Sequence, residues 1–319
     1  RSIVIIIMSN LIKKKNVATK LFQKYIENKD IRKFKKNYFY YLYYRITRLF
    51  FNTPLKVKIH NFNLFASNKK NNASYSLLQK CNFFDVAEIE IIKKFSKLSD
   101  LFFIDCGCNF GFYSLYVSSL SPSNEIIAIE ASKKTLEEFK ENIMINNFKN
   151  IKIINKALYH TDDSKMEFNE SEKDWESSLI NSDFFVKEKN IVKSITVDTI
   201  IKKENLKDNK LIIKIDVEGN DLNVLAGAQN TIDKFSPFII IEFFKNIKNN
   251  NEFNYSFLEN FLVNNNYKIL DYKGKTFEIK DILKLINELD VAHSTIGNYY
   301  LMHQNDIKYK DKLFFNINE

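Results

Sequence analysis

From Leu101 onward the chain alternates two kinds of pattern. Short runs are apolar at nearly every position: LFFID (101–105), EIIAIE (125–130), IKIINKAL (151–158), LIIKIDVEG (211–219), PFIIIEF (237–243), YKIL (267–270) and GNYYLMH (297–303). Between them lie stretches with helical patterning: FYSLYVSSLS (112–121), SKKTLEEFKENIMINN (132–147), DLNVLAGAQNTIDKF (221–235), YSFLENFLVNNN (255–266) and a segment around 280–289. Strands apolar on both faces belong in a sheet covered on both faces, and strands that alternate with helices pair in parallel. The pattern predicts an α/β fold: a Rossmann-like, seven-stranded, mostly parallel sheet with helices on both faces.

Upstream the pattern changes. LKVKIHNFNLFAS (55–67) alternates like one or two strands, and DVAEIEIIKKFSKL (85–98) is an amphipathic helix. Residues 18–51 lack Gly and Pro and read as helical until Pro54 stops them. We therefore expect a basic, aromatic-rich helical arm (1–54), a strand-and-helix lead-in or cap (55–100) and a ligand-binding catalytic domain (101–310).

Charge sharpens that division. The formal net charge is +9, yet residues 1–58 hold fifteen Lys/Arg against two acids and residues 59–319 hold 33 against 37. A body of net −4 does not suit an enzyme with a basic nucleic-acid groove, so no nucleic-acid partner is expected. The arm has three readings: a helix packed on the body, a basic aromatic helix on an anionic membrane surface, or a contact for a partner protein. The apolar run Ile3–Met8 is too short to span a bilayer and no cleavage pattern follows it. Three cysteines make neither a disulfide framework nor a four-ligand zinc pattern. Together these predict a cytoplasmic protein, peripheral at the inner face of a membrane if the arm touches lipid.

Asp105, Glu130, Asp216 and Glu242 all stand at the carboxyl ends of predicted strands, the edge where open α/β sheets bind ligands. The loop Asp105-Cys-Gly107-Cys-Asn109-Phe-Gly111 holds two of the chain's six glycines. It has Asn109 where a dinucleotide turn needs its second glycine, and it lacks the Gly-Lys-Ser/Thr of a triphosphate loop. A cofactor without phosphates fits better. Glu130, nineteen residues after Gly111, is placed to accept from a ribose diol, and S-adenosylmethionine has a ribose, an amino-acid end and no pyrophosphate. The cofactor-binding candidates are Asp105, Gly107, Asn109, Gly111, Glu130, Ala131 and Asp216.

The segments FIDCGCNFGFYSL, IIAIEAS, FKENIMINNFKNIKIINKAL, SITVDTI, LIIKIDVEGNDLNVLAGA and SPFIIIEF resemble the FkbM-type S-adenosylmethionine-dependent methyltransferases over roughly residues 85–245. IKIDVEG followed by VLAGA is the most specific part. The resemblance implies the class I methyltransferase fold and O-methylation of a hydroxyl on a sugar, glycan or other small molecule. Cys106 and Cys108 depart from the small residues or Val usual in that loop, and Ala131 replaces the usual proline.

Methyl transfer to an alcohol needs a held acceptor oxygen and a route for its proton. Asp216, Glu218 and Glu242 are the candidate catalytic acids, with Asp216 or Glu218 as base or orienting group. A loop-holding Asp216, or a divalent ion between Asp216 and Glu242, are the alternatives; no metal site is expected. Lys214 shares a face with Asp216 and could pair with an acid. His160, Asp162, Asp163, His293 and Trp175 are lesser candidates near adenine or the substrate mouth. Competing functions are an NAD-dependent oxidoreductase and a non-catalytic, membrane-associated scaffold of the same fold.

Overall fold

The structure is a computed structural model in which residues 55–66, 73–74, 86–171, 186–204, 206, 209–244, 253–288 and 295–314 are described. The basic arm, Trp175 and His293 lie outside the described residues. The chain divides into two compact units, residues 1–84 with 140–147, and residues 85–139 with 148–319.

In the first unit, β1 (Leu55–Ile59) and β2 (Phe62–Ala66) form the antiparallel hairpin that the alternation predicts. Val57, Ile59, Phe62 and Leu64 are buried. The backbone of β2 finds partners in side chains: Asn63 N donates to Asn146 Oδ1 at 2.6 Å and Phe65 N to Asn142 Oδ1 at 2.7 Å.

The second unit carries α1 (Val86–Ser96) and then the main sheet. Its parallel strands are β3 (Leu101–Cys106), β4 (Glu125–Ile129), β5 (Ile151–Ile154), β9 (Lys210–Ile215) and β10 (Phe238–Phe244). β11 (Tyr267–Leu270), β12 (Thr276–Phe277) and β13 (Thr295–His303) complete it. The order is β12-β11-β13-β10-β9-β3-β4-β5, with β13 antiparallel to both its neighbours. The sheet thus has eight strands where the pattern predicts seven. The extra one, β12, is two residues long, too short for any periodicity to announce. The predicted third strand also splits. Residues 151–154 stay in the main sheet, while β6 (Ala157–Leu158) joins β7 (Lys165–Ser171) and β8 (Val186–Ile195) in a separate three-stranded sheet. β7 and β8 pair antiparallel with each other.

Helices α2 (Phe112–Leu120), α3 (Lys133–Asn146), α4 (Val197–Lys202), α5 (Asp221–Ala226), α6 (Gln229–Phe235), α7 (Tyr255–Asn264), α8 (Ile279–Asn287) and α9 (Lys310–Phe314) flank the strands. α2 packs on β3 and β4, and α5 on β9 and β10. Every residue of β3 is buried, as a covered central strand requires. The chain winds from β3 outward to β4 and β5, then returns to β9 on the other side of β3. Such a reversal leaves a crevice at the carboxyl ends of β3 and β9. Among the described residues no helix is long and apolar enough to cross a membrane.

Candidate active site at the carboxyl edge of the sheet

The loop after β3 is held by the protein's own atoms. Gly107 N and Cys108 N both donate to Ile129 O at 3.0 Å, Asn109 N to Glu130 Oε2 at 3.0 Å, Phe110 N to Asn109 Oδ1 at 2.8 Å, and Gly111 N to Cys108 O at 2.8 Å. Five successive amides are thus spent inside the chain, and none is left to cradle a pyrophosphate. The two glycines also have internal reasons. A Cβ on Gly107 (φ 80°) would lie 1.9 Å from the Asp216 carbonyl oxygen, and one on Gly111 (φ 85°) would lie 1.9 Å from the Phe139 ring. The space each glycine leaves is filled by protein.

Asp105 is 2% exposed and faces inward. Its Oδ2 accepts from Ser114 N at 3.1 Å and Ser114 Oγ at 2.6 Å. Gly111, the N-cap of α2, has no side chain, so Asp105 caps that helix from the neighbouring strand. Burial pushes its carboxyl up to about 6, against the pull of Lys214. Glu130 stands beyond β4 and accepts one bond on each oxygen, from Asn109 N and from Ser132 N at 2.9 Å. Each oxygen keeps a lone pair for a further donor. Desolvation raises this carboxyl to about 7 despite those bonds. Ala131 lacks proline's rigidity, but Asn155 Nδ2 donates to both Glu130 O and Ala131 O at 2.9 Å and pins the turn.

Lys214 is 1% exposed, on β9. Its Nζ donates to Asp216 Oδ2 at 2.6 Å and lies 4.7 Å from the centroid of the Tyr113 ring. The expected pairing with a neighbouring acid is therefore made with Asp216. Strand register explains the convergence. Asp105 pairs across to Lys214, and Lys214 to Ile240. Two residues on, Asp216 and Glu242 follow the last paired residues Ile215 and Ile241, so both side chains fall on one face at the strand ends. Glu218 sits in the left-handed region (φ 54°). Desolvation first, then the fields of Asp216 and Glu242, raise its carboxyl well above the ordinary range.

Asp221 is the residue that sequence reasoning missed. It is fully buried and accepts from Val217 N and Gly219 N, both at 3.1 Å, so it shapes the loop bearing Glu218. Burial, then Asp216, pushes it up to about 7. An acid in the first helical turn two residues after Gly219 is the signal that could have found it.

The lesser candidates have other partners. His160 Nδ1 lies 2.9 Å from Asn223 Oδ1, Asp163 pairs with Lys156 at 3.0 Å, and Asp162 accepts from Thr196 N at 2.8 Å and Thr199 Oγ1 at 2.7 Å. A cavity of about 930 Å³ lined by Asp162, Asp198 and Thr199 shares none of the edge carboxylates. Asp162 and Asp198 are engaged in capping α4 and α6. Among the described residues no group of three or more His, Cys, Asp or Glu is placed to hold a metal ion.

A family model described as Methyltransferase FkbM domain matches residues 105–269. Among solved structures, a methyltransferase FkbM from Methylobacillus flagellatus KT is 17% identical over 45% of this chain and 32% of its own, with a TM-score of 0.32. A precorrin-6y C5,15-methyltransferase from Geobacter metallireducens GS-15 is 14% identical over 68% and 86%, with a TM-score of 0.35. M. jannaschii TYW2 in complex with AdoMet is 14% identical over 79% and 84%, with a TM-score of 0.37. No curated protein matches the sequence. At such TM-scores the family assignment rests on the sequence match over residues 105–269.

Proposed function

Because the chain belongs to the FkbM methyltransferase domain family, and its cofactor is accordingly S-adenosylmethionine, we propose that it methylates a hydroxyl of a sugar, glycan or other small molecule at the carboxyl edge of β3, β9 and β10. The observation that carries this reading is the convergence of Asp216, Glu218 and Glu242 at that edge. We read the sheet as a class I methyltransferase core with β12 added at its rim.

The residues fit the cofactor's chemistry. Its ribose diol offers two donors to the lone pairs left on Glu130, and its net positive charge suits an edge with several carboxylates and one buried lysine. The NAD reading needs free loop amides for a pyrophosphate, and those amides are already spent. When bound, the cofactor supplies an electrophilic methyl on a sulfonium. The acceptor hydroxyl must then be aligned and must lose its proton. Lys214 donates to one oxygen of Asp216, which leaves the other to accept from the hydroxyl. Glu218, whose carboxyl burial pushes upward, is suited to donate to the acceptor and fix it. This divides roles that the sequence left open between the two acids.

Calorimetry of the intact protein with S-adenosylmethionine and with NAD tests the cofactor reading. Asp216→Asn should lower turnover by about 10²–10⁴ with cofactor affinity within a few-fold. Full turnover in Asp216→Asn would remove it as the base.

A further inference from the structure

The row of side chains at the sheet's carboxyl edge does not end at β10. Glu242 is the cross-strand partner of Asn298 on antiparallel β13, so the two side chains stand on one face, their Cβ atoms roughly 5 Å apart. The row reads Asp216, Glu242, Asn298 across three adjacent strands. Asn298 Oδ1 is buried and has no hydrogen-bond partner. Folded proteins pair nearly all such atoms, and those left over often mark a place where something else binds.

The backbone beside it is built irregularly. Register shifts between Glu242, paired with Asn298, and Phe244, paired with Thr295, so β13 carries one extra residue there. Gly297, with φ 91°, lies in that bulge. Bulges with a glycine in this region re-aim the next side chain and are frequent beside active sites. A Cβ added to Gly297 would meet nothing within 4 Å, so there is open space next to Asn298.

Resting on the hydroxyl-methylation reading above, we propose that Asn298 is a specificity-determining residue that accepts a hydrogen bond from a second donor group on the acceptor, adjacent to the hydroxyl that is methylated. Glu242 and Asn298 Oδ1 are both acceptors, set side by side. A molecule whose reacting hydroxyl sits between Asp216 and Glu242, and whose neighbouring hydroxyl or amine reaches Asn298 Oδ1, fits this row. A monohydric alcohol held through its reacting hydroxyl leaves Asn298 Oδ1 buried and unsatisfied. Sites built to receive a hydroxyl discriminate strongly against analogues that lack it.

The test uses the full chain with methyl-labelled S-adenosylmethionine. The probes are cis- and trans-cyclohexane-1,2-diol, 2-aminocyclohexanol, methyl hexosides, cyclohexanol and cyclohexylamine. The expected result is a preference of about 10- to 100-fold in kcat/KM for a probe with two adjacent donors over cyclohexanol. Asn298→Leu should erase that preference by raising KM for the two-donor probe, with cofactor affinity unchanged in calorimetry. Asn298→Ser, which keeps an oxygen, should retain part of it and guards against misfolding of the leucine variant. Equal transfer to diols and cyclohexanol, or an unchanged KM in Asn298→Leu, overturns the inference and leaves hydroxyl methylation standing. Label reaching only cyclohexylamine overturns both. Transfer to no probe by a protein that binds the cofactor overturns the two-donor requirement as stated.

Discussion

Replacing Gly107 with alanine probes the crevice most directly. The new Cβ would lie 1.9 Å from the Asp216 carbonyl oxygen and 3.2 Å from Val217 Cγ1. That carbonyl has little room to retreat, since Asp216 N donates to Cys106 O at 3.0 Å. Gly107 cannot easily recede either, because its own amide donates to Ile129 O at 3.0 Å. Two costs add. Holding alanine at φ 80° costs about 1–2 kcal/mol, and forcing the two loops apart about 1–3 kcal/mol. The expected loss is about 2–5 kcal/mol, a large share of a stability of about 5–15 kcal/mol. Gly297→Ala is the internal control: it has a comparable φ of 91° but open space around the Cβ, so only the first cost applies. Urea unfolding of both variants, followed by circular dichroism, should therefore differ by about 1–3 kcal/mol. Equal losses, or a loss under about 1 kcal/mol for Gly107→Ala, would refute the close approach of the β3 and β9 loops.

Other outcomes follow from the same geometry. Glu130→Ala should weaken S-adenosylmethionine binding by about 1.5–3 kcal/mol for each ribose bond lost, read by calorimetry; equal affinity would remove Glu130 from the ribose. Glu218→Gln should reduce turnover far less than Asp216→Asn, because burial pushes the Glu218 carboxyl upward and suits it to a donor's role; comparable losses would make Glu218 the base. Asp105, Glu130 and Asp221 have folded values raised to about 6, 7 and 7, so the folded state takes up their protons more readily than the unfolded chain. Their stabilisation is full below the unfolded values near 4 and is lost as pH rises through 6–7, so the cofactor-free protein should have a lower urea midpoint at pH 8 than at pH 5. A midpoint that rises over that interval would contradict the burial of these acids. If the basic arm touches anionic lipid, co-sedimentation with phosphatidylserine vesicles should fall with added salt and disappear on deleting residues 1–51; lipid binding that survives the deletion ends that reading.

The sequence by itself determined the elements and their chemistry. Apolar runs at 101–105, 125–130, 211–219 and 237–243 had to be covered strands, and an acid at the end of each had to stand at one edge once the strands ran parallel. Asn109 in place of a glycine argued against a dinucleotide loop, and the spent amides of residues 107–111 supply the reason in space. What the sequence could not decide was anything that depends on which strands become neighbours. The pairing of Asp105 with Lys214, and of Glu242 with Asn298, joins residues 109 and 56 positions apart, and no local period encodes it. Gly107 and Gly111, the loop's candidate cofactor-binding glycines, are packed against by Asp216 and Phe139, a contact visible only after the loops close on each other. β12 and β6, two residues each, owe their strand geometry to the sheets they join rather than to their own sequence. The division of labour proposed between Asp216 and Glu218 likewise rests on Glu218's surroundings, because a carboxyl's proton affinity is set by what buries it and which charges face it.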